Sequence, residues 1–108
     1  MQDARELLFD LPRYFRPEVA GNMTATTQYM ISRPVHIRIE NGQCSVHDGI
    51  ADHPDVTIRI RDDHLVRLMS GRMNGLAAFL TGKLKVDGDH RLAQKMNKVF
   101  DTSQLKKT

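Results

Sequence analysis

The segment NGLAAFLTGKLKVDGD, residues 74–89, constrains the fold more than any other part of the sequence. Asn74 is a good helix cap and Gly82 a good helix stop, so the residues between them predict a short helix. Five consecutive apolar residues leave the centre of that helix without a polar face. Such a helix is either deeply buried or lines an apolar space. The segment offers no catalytic constellation, so it indicates a protein that binds a ligand more than one that catalyses a reaction.

Hydrophobic periodicity predicts a series of helices and strands along the rest of the chain. Asn41-Gly42 is the strongest hairpin signal, because both residues tolerate the positive φ of a tight turn. Asp62 or Asp63 is the expected cap of a helix that ends at Gly71. The predicted order is a helix in residues 3–14, strands at 24–32, 35–39, 43–47 and 55–61, two helices that end at Gly71 and Gly82, a strand at 83–87 and a final helix to Phe100.

Each predicted strand has one apolar face, so a single sheet needs cover on one side only. The helices supply that cover, which predicts an α+β domain of two layers. With 108 residues the chain is expected to form one domain, residues 1–108, in which residues 102–108 are a loose basic tail.

Composition excludes several classes of protein. The single cysteine, Cys44, cannot form an intramolecular disulfide. The acidic N-terminal residues do not suit a secretory signal, and no apolar run is long enough to span a membrane, so we expect a soluble, cytoplasmic protein. A net charge of +3 and an aromatic content of 6% are weak grounds for nucleic-acid binding, which is not expected. Oligomeric state stays open.

Basic residues recur on the polar side of the predicted strands. If those strands are neighbours, one sheet face is basic. Two interpretations stay open: a merely solvated face, or a surface that docks transiently on an anionic membrane or an acidic protein. The residues concerned are His36, Arg38, Arg59, Arg61, Lys83 and Lys85.

No catalytic residues, metal ligands or cofactor site are predicted. His47-Asp48 and Asp52-His53 lie close in sequence, but their spacing matches no familiar zinc pattern, and a polar surface loop explains them. Nothing in the sequence near Cys44 suggests a lowered thiol pKa. The sequence therefore predicts a protein that is not an enzyme.

The elements in this order resemble the sterol-carrier-protein type-two domain, the nonspecific lipid-transfer family. The resemblance runs from about Thr24 to Phe100. It is carried by the strand DVTIRI at residues 55–60, by LMSGRM at 68–73, by AFLTGKLKVDGD at 78–89 and by the closing helix. It implies a five-stranded mixed or antiparallel sheet covered on one face by about four to five helices, with an apolar tunnel between the layers.

The resemblance also implies the residues that contact a ligand. From the apolar faces we expect a lining in which Leu8 and Leu11 close one end. Arg72, Lys83 and Lys85 are the candidates for a head group or a docking partner. The predicted lipid-binding residues are Ile37, Ile39, Val56, Ile58, Leu68, Leu76, Phe79, Leu80, Leu84, Met96 and Phe100.

The predicted function is a small carrier of a lipid-like ligand, such as a fatty acid, acyl-CoA, sterol or isoprenoid or quinone precursor. Apolar burial would supply the affinity, with the last helix and the basic tail as the gate. An accessory subunit that presents a lipid or quinone precursor to biosynthetic enzymes is the alternative. A structural or regulatory module with a closed pocket is a lesser one.

Overall fold

A computed structural model describes residues 3–101, which form a five-stranded mixed sheet with helices packed on one face. The predicted α+β class and strand count are confirmed. The strands are β1 Ala25–Met30, β2 Val35–Glu40, β3 Gln43–Asp48, β4 Val56–Ile60 and β5 Leu84–Gly88. The helices are α1 Ala4–Asp10, α2 Pro17–Ala20, α3 Asp62–Met69, α4 Gly75–Leu80 and α5 His90–Lys98, with a 3₁₀ turn at Leu11–Tyr14.

The sheet has the strand order β3-β2-β1-β4-β5, in which only the β1–β4 pair is parallel. Register aligns Thr27 with Ile37 on one side and with Val56 on the other. Because residues opposite each other in a sheet point to the same face, this row belongs to the apolar side. The alternating residues of β2 confirm it: Val35, Ile37 and Ile39 are fully buried.

Local signals in the sequence place most element ends correctly. Asn41 and Gly42 have φ of 55° and 72°, which is the tight hairpin predicted. Asn74 caps α4 by accepting a hydrogen bond from the Ala77 amide. The predicted cap of α3 is wrong, because Arg61 occupies the cap position. The Asp62 carboxylate instead accepts hydrogen bonds from the backbone and hydroxyl of Ser32.

The helical layer packs on the apolar sheet face and forms one core with it. Helices α1 and α3 contact each other, and α5 lies over β4 and β5. Phe15 and Phe100 bring the chain before α2 against the end of α5, with ring centroids 5.8 Å apart. The buried helical residues in this core include Leu8, Leu11, Leu65, Met96, Val99 and Phe100. None of the helices in residues 3–101 is long and apolar enough to cross a bilayer.

Helices cover one sheet face, as predicted, but a loop crosses part of the opposite face. The chain must pass from the edge strand β3 across β2 and β1 to reach β4, and residues 49–55 make this crossing over the polar face. Gln28, only 1% exposed, holds the loop. Its side-chain amide donates to the Gly49 carbonyl at 3.2 Å and accepts from the Ala51 amide at 2.7 Å.

The prediction of one continuous basic face is therefore wrong in part. The crossing loop separates the basic residues of β2 from those of β4 and β5. Arg59 is paired with Asp87 at 3.1 Å, and Arg38 with Glu40 at 2.8 Å. Arg61 and Lys83 lie outside the strands altogether.

Candidate functional site

The interior layer between sheet and helices contains most of the predicted lipid-binding residues. From the sheet, Ile37, Ile39 and Val56 are buried, while Ile58 and Leu84 are partly buried. From the helices, Met96 and Phe100 are buried and Leu68 is partly buried. Leu8 and Leu11 are buried in the same core. These side chains belong to, or pack against, one hydrophobic core.

Helix α4 is the exception: of the two alternatives for it, deep burial or an apolar lining, deep burial is wrong. Its only buried side chain is Ala78. Leu76 is 68% exposed and Leu80 73% exposed, and Phe79 is 41% exposed. The six-residue helix lies at the rim of the sheet beside β5 instead of between the layers. Its large apolar side chains therefore lie on the surface of the molecule.

At this rim α4 packs against β5, α3 and α5. The Phe79 ring meets the edge of the His90 ring, with centroids 6.0 Å apart. Gly75 lies close to the Leu68 side chain, which packs on the core. The Lys83 amide donates to the Ala78 carbonyl at 2.9 Å. Helix α4 thus adjoins the interior where α3, α5 and β5 meet, while its large side chains contribute little to the core.

Thr27 is a polar residue in the apolar layer that the sequence analysis missed. It is fully buried, and its hydroxyl finds no hydrogen-bond partner among residues 3–101. Its strand neighbours satisfy their polar groups on the other face, since Thr26 accepts a hydrogen bond from Arg38 at 2.7 Å. An unsatisfied buried hydroxyl costs about 1–3 kcal/mol. The sequence does contain a signal for it: in TATTQYM, residues 24–30, Thr27 alternates onto the same strand face as Ala25 and Tyr29.

Ionisable groups that face the layer are held neutral. Burial raises the pKa of the Tyr29 phenol well above its usual range, and the nearby Cys44 adds to the effect. Burial also raises the pKa of the Cys44 thiol to about 11. Burial thus works against formation of a thiolate at Cys44. This part of the interior suits an uncharged ligand.

A concave region lies on the polar face of the sheet, beneath the crossing loop. This histidine cleft has a volume of about 320 Å³ and is lined by Thr26, His36, Arg38, His47, Ala51, Asp52 and His53. The His36 and His47 rings stack at 5.1 Å, and His36 Nδ1 lies 3.1 Å from the Gly49 carbonyl. Within residues 3–101 no three or more His, Cys, Asp or Glu side chains are grouped to hold a metal ion.

The three predicted head-group or docking residues are all exposed. Arg72 precedes α4 and Lys83 follows it, so both flank the apolar helix in the chain. Lys85 lies on β5 opposite Arg59, on the polar face. The structure brings Arg72 and Lys83 to the ends of α4, and it separates Lys85 from them by turning it to the other side of the sheet.

Comparison with known sequences gives a consistent result. A profile described as the SCP-2 sterol transfer family matches residues 16–101. Sterol carrier protein 2 of Oryctolagus cuniculus is 42% identical over 60 residues, which are 56% of this chain and 11% of that protein. Peroxisomal multifunctional enzyme A of Dictyostelium discoideum is 37% identical over 68 residues, which are 62% of this chain and 15% of that protein. The chain thus matches a small part of each relative.

Solved structures show the same fold at low sequence identity. Sterol Carrier Protein 2 Like 2 from Aedes aegypti has a TM-score of 0.73 and 19% identity, covering 90% of this chain and 93% of that one. Sterol Carrier Protein-2 from the same organism, in complex with palmitate, has a TM-score of 0.70 and 13% identity, covering 94% and 98%. With the profile match over residues 16–101, these findings show that the chain belongs to the SCP-2 sterol transfer family.

Proposed function

We propose that this chain is a carrier that binds the hydrocarbon chain of a lipid-like ligand between the sheet and the helical layer. Helix α4 forms the movable side of the entrance. The family is one of lipid-binding and lipid-transfer domains, and the relative from Aedes aegypti was solved with palmitate. The domain itself is proposed to be non-catalytic.

One observation carries the proposal: α4 exposes large apolar side chains at the rim of an apolar interior. Leu76, Phe79 and Leu80 gain nothing from their present exposure. Burying such a side chain fully is worth about 1.5–3 kcal/mol. A ligand chain that enters beneath α4 supplies this burial, and the helix moves to admit it.

The test compares α4 with an equally exposed apolar residue elsewhere. Ile50, on the crossing loop, is 66% exposed, close to the 68% of Leu76. We expect L76E/L80E to weaken binding of dodecanoate about tenfold or more, because two apolar contacts are replaced by charge. The I50E variant should bind as the wild type does. Affinity is measured by displacement of the neutral fluorophore N-phenyl-1-naphthylamine.

Urea unfolding serves as the control for these variants. Since all three side chains are already exposed, each substitution should change the free energy of unfolding by no more than about 0.5 kcal/mol. Equal affinities for wild type and L76E/L80E, with folding intact, would contradict α4 as the entrance. Native mass spectrometry of the purified protein then reports whether any lipid copurifies.

The accessory subunit is the second candidate, and the relatives favour it. Peroxisomal multifunctional enzyme A is a long protein of which this chain matches 15%. In that role the carrier presents its ligand to an enzyme, and exposed Arg72, Lys83 and Lys85 contact the partner or an anionic membrane. Transfer of a lipid between vesicles by this chain alone supports an independent carrier. Transfer only when a biosynthetic enzyme is added supports the accessory subunit.

A further inference from the structure

The unpaired hydroxyl of Thr27 points to the chemical class of the ligand. Thr27 is on the central strand β1, between Ile37 and Val56 in the sheet register. It is 0% exposed, and its Oγ1 has no hydrogen-bond partner in the part of the chain from 3 to 101. Burial without a partner disfavours the folded state, since the hydroxyl loses its bonds to water.

The two residues that flank Thr27 show that burial alone does not explain the missing partner. Thr26 and Gln28 are also buried, at 5% and 1% exposure. Thr26 Oγ1 accepts from the Arg38 guanidinium, and the Gln28 amide bonds Val35, Gly49 and Ala51. Both of these side chains are paired on the polar face, whereas Thr27 alone of the three faces the apolar layer.

The surroundings of Thr27 exclude a charged partner. Its neighbours on the same sheet face are Ala25, Tyr29, Ile37 and Val56. The phenol of Tyr29 stays neutral because burial raises its pKa. An isolated carboxylate or phosphate brought to this position would lose its hydration without gaining a cation, which is far more costly than burying a neutral group.

We propose that the ligand is a lipid with an uncharged oxygen head group, an alcohol or a ketone, which binds head-inward and hydrogen-bonds to Thr27 Oγ1. The proposal rests on the proposed function, since it assigns a head group to the chain carried there. It differs from the expectation that Arg72, Lys83 or Lys85 meets an acidic head group at the mouth. A threonine hydroxyl both donates and accepts, so it matches an alcohol or a carbonyl.

The test uses Thr27→Val, which keeps the shape and removes the hydroxyl, and Thr27→Ser as the variant that retains it. Each protein is titrated with dodecan-1-ol and with dodecane, by displacement of N-phenyl-1-naphthylamine. We expect T27V to weaken dodecan-1-ol binding about tenfold and to leave dodecane binding unchanged. T27S should keep the preference of the wild type for the alcohol over the alkane.

Thermal unfolding without lipid gives an independent arm. If Oγ1 is unsatisfied in the free protein, T27V should raise the melting temperature by about 4 °C or more. A lower melting temperature would mean that the hydroxyl has a partner in the free protein, and it would overturn the proposal. So would equal dodecan-1-ol affinity of wild type and T27V, or a loss that extends equally to dodecane.

The two proposals fail in different ways. If the wild type binds both dodecyl probes and T27V binds dodecan-1-ol just as tightly, the lipid carrier stands and only the assignment of the head group falls. If the wild type binds neither probe, the carrier itself is contradicted, and the head-group assignment falls with it.

Discussion

At the scale of single residues, the polar side chains of β1 organise the molecule. Gln28 fastens the crossing loop, and Thr27 places one unpaired hydroxyl in the interior. The sequence predicted a strand here from its β-branched residues, but not that both faces of β1 are buried. That burial depends on the path of residues 49–55 across the sheet, and periodicity within a strand contains no information on such a path.

Cys44 gives the residue-scale prediction. Its thiol pKa is raised to about 11 by burial, so very little thiolate is present near neutral pH. We expect it to react with 5,5′-dithiobis(2-nitrobenzoic acid) at pH 8 at least about tenfold more slowly than a small free thiol, because the thiolate is the nucleophile. Absorbance at the released thiolate's band follows the reaction.

Urea-unfolded protein is the control for Cys44, and its thiol should react at the rate of the free compound. The rate in the folded protein should rise as the pH approaches 11, where the thiolate forms. A folded protein that reacts as fast as the unfolded one at pH 8 would contradict a thiol held neutral by burial.

At the scale of elements, the hairpin turn and the cap of α4 were predicted correctly, whereas the cap of α3 was not. Asn74 caps α4 as predicted, and Asp89 caps α5. The uniform apolar sequence of α4 correctly predicted a short helix, and of the two surroundings it allowed, the structure excludes deep burial. The turns on either side fix the position of a helix as short as six residues, and here that position is beside β5.

Gly88 gives the element-scale prediction. It ends β5 with φ of +102°, and a Cβ there would lie 2.6 Å from the Asp55 carbonyl oxygen. That carbonyl accepts from the Asp89 amide at 3.1 Å, so it cannot move away freely. We expect G88A to lower the free energy of unfolding by about 1–3 kcal/mol more than G82A does.

The Gly82 variant is a matched control for backbone conformation. Gly82 also has a positive φ, +78°, but a Cβ there would meet nothing within 4 Å. Both substitutions therefore carry the cost of a left-handed backbone, and only G88A adds a collision. Urea unfolding measures both, and equal losses would contradict close packing of β5 against the start of β4.

At the scale of the whole molecule, the strand faces were predictable and the path of the crossing loop over the polar face was not. Alternation assigned Ile37, Ile39 and Ile58 to one face, and the structure confirms it through the register of β2, β1 and β4. The family resemblance implied the mixed sheet. The prediction overestimated how basic the polar face is. The ion pair of Arg59 with Asp87 and the position of the crossing loop both depend on residues far apart in the sequence, which local patterns do not reveal.

The sequence identified the predicted lining as a set of apolar residues, but it did not show whether they enclose an open space. Apolar periodicity marks a core-facing side chain, and the same pattern serves a closed core and a tunnel wall. The structure adds that Ile37 and Met96 belong to one packed core. A ligand chain therefore enters this core only if the sheet and the helices separate.

The central claim is that the ligand lies between the sheet and the helices, and intermolecular nuclear Overhauser effects test it most directly. The measurement uses protein with labelled isoleucine methyl groups and unlabelled dodecan-1-ol. We expect effects from the ligand methylene protons to the methyl groups of Ile37 and Ile58, on the apolar sheet face, and none to exposed Ile50. Bound ligand that gives no effect at Ile37 or Ile58 would contradict the account.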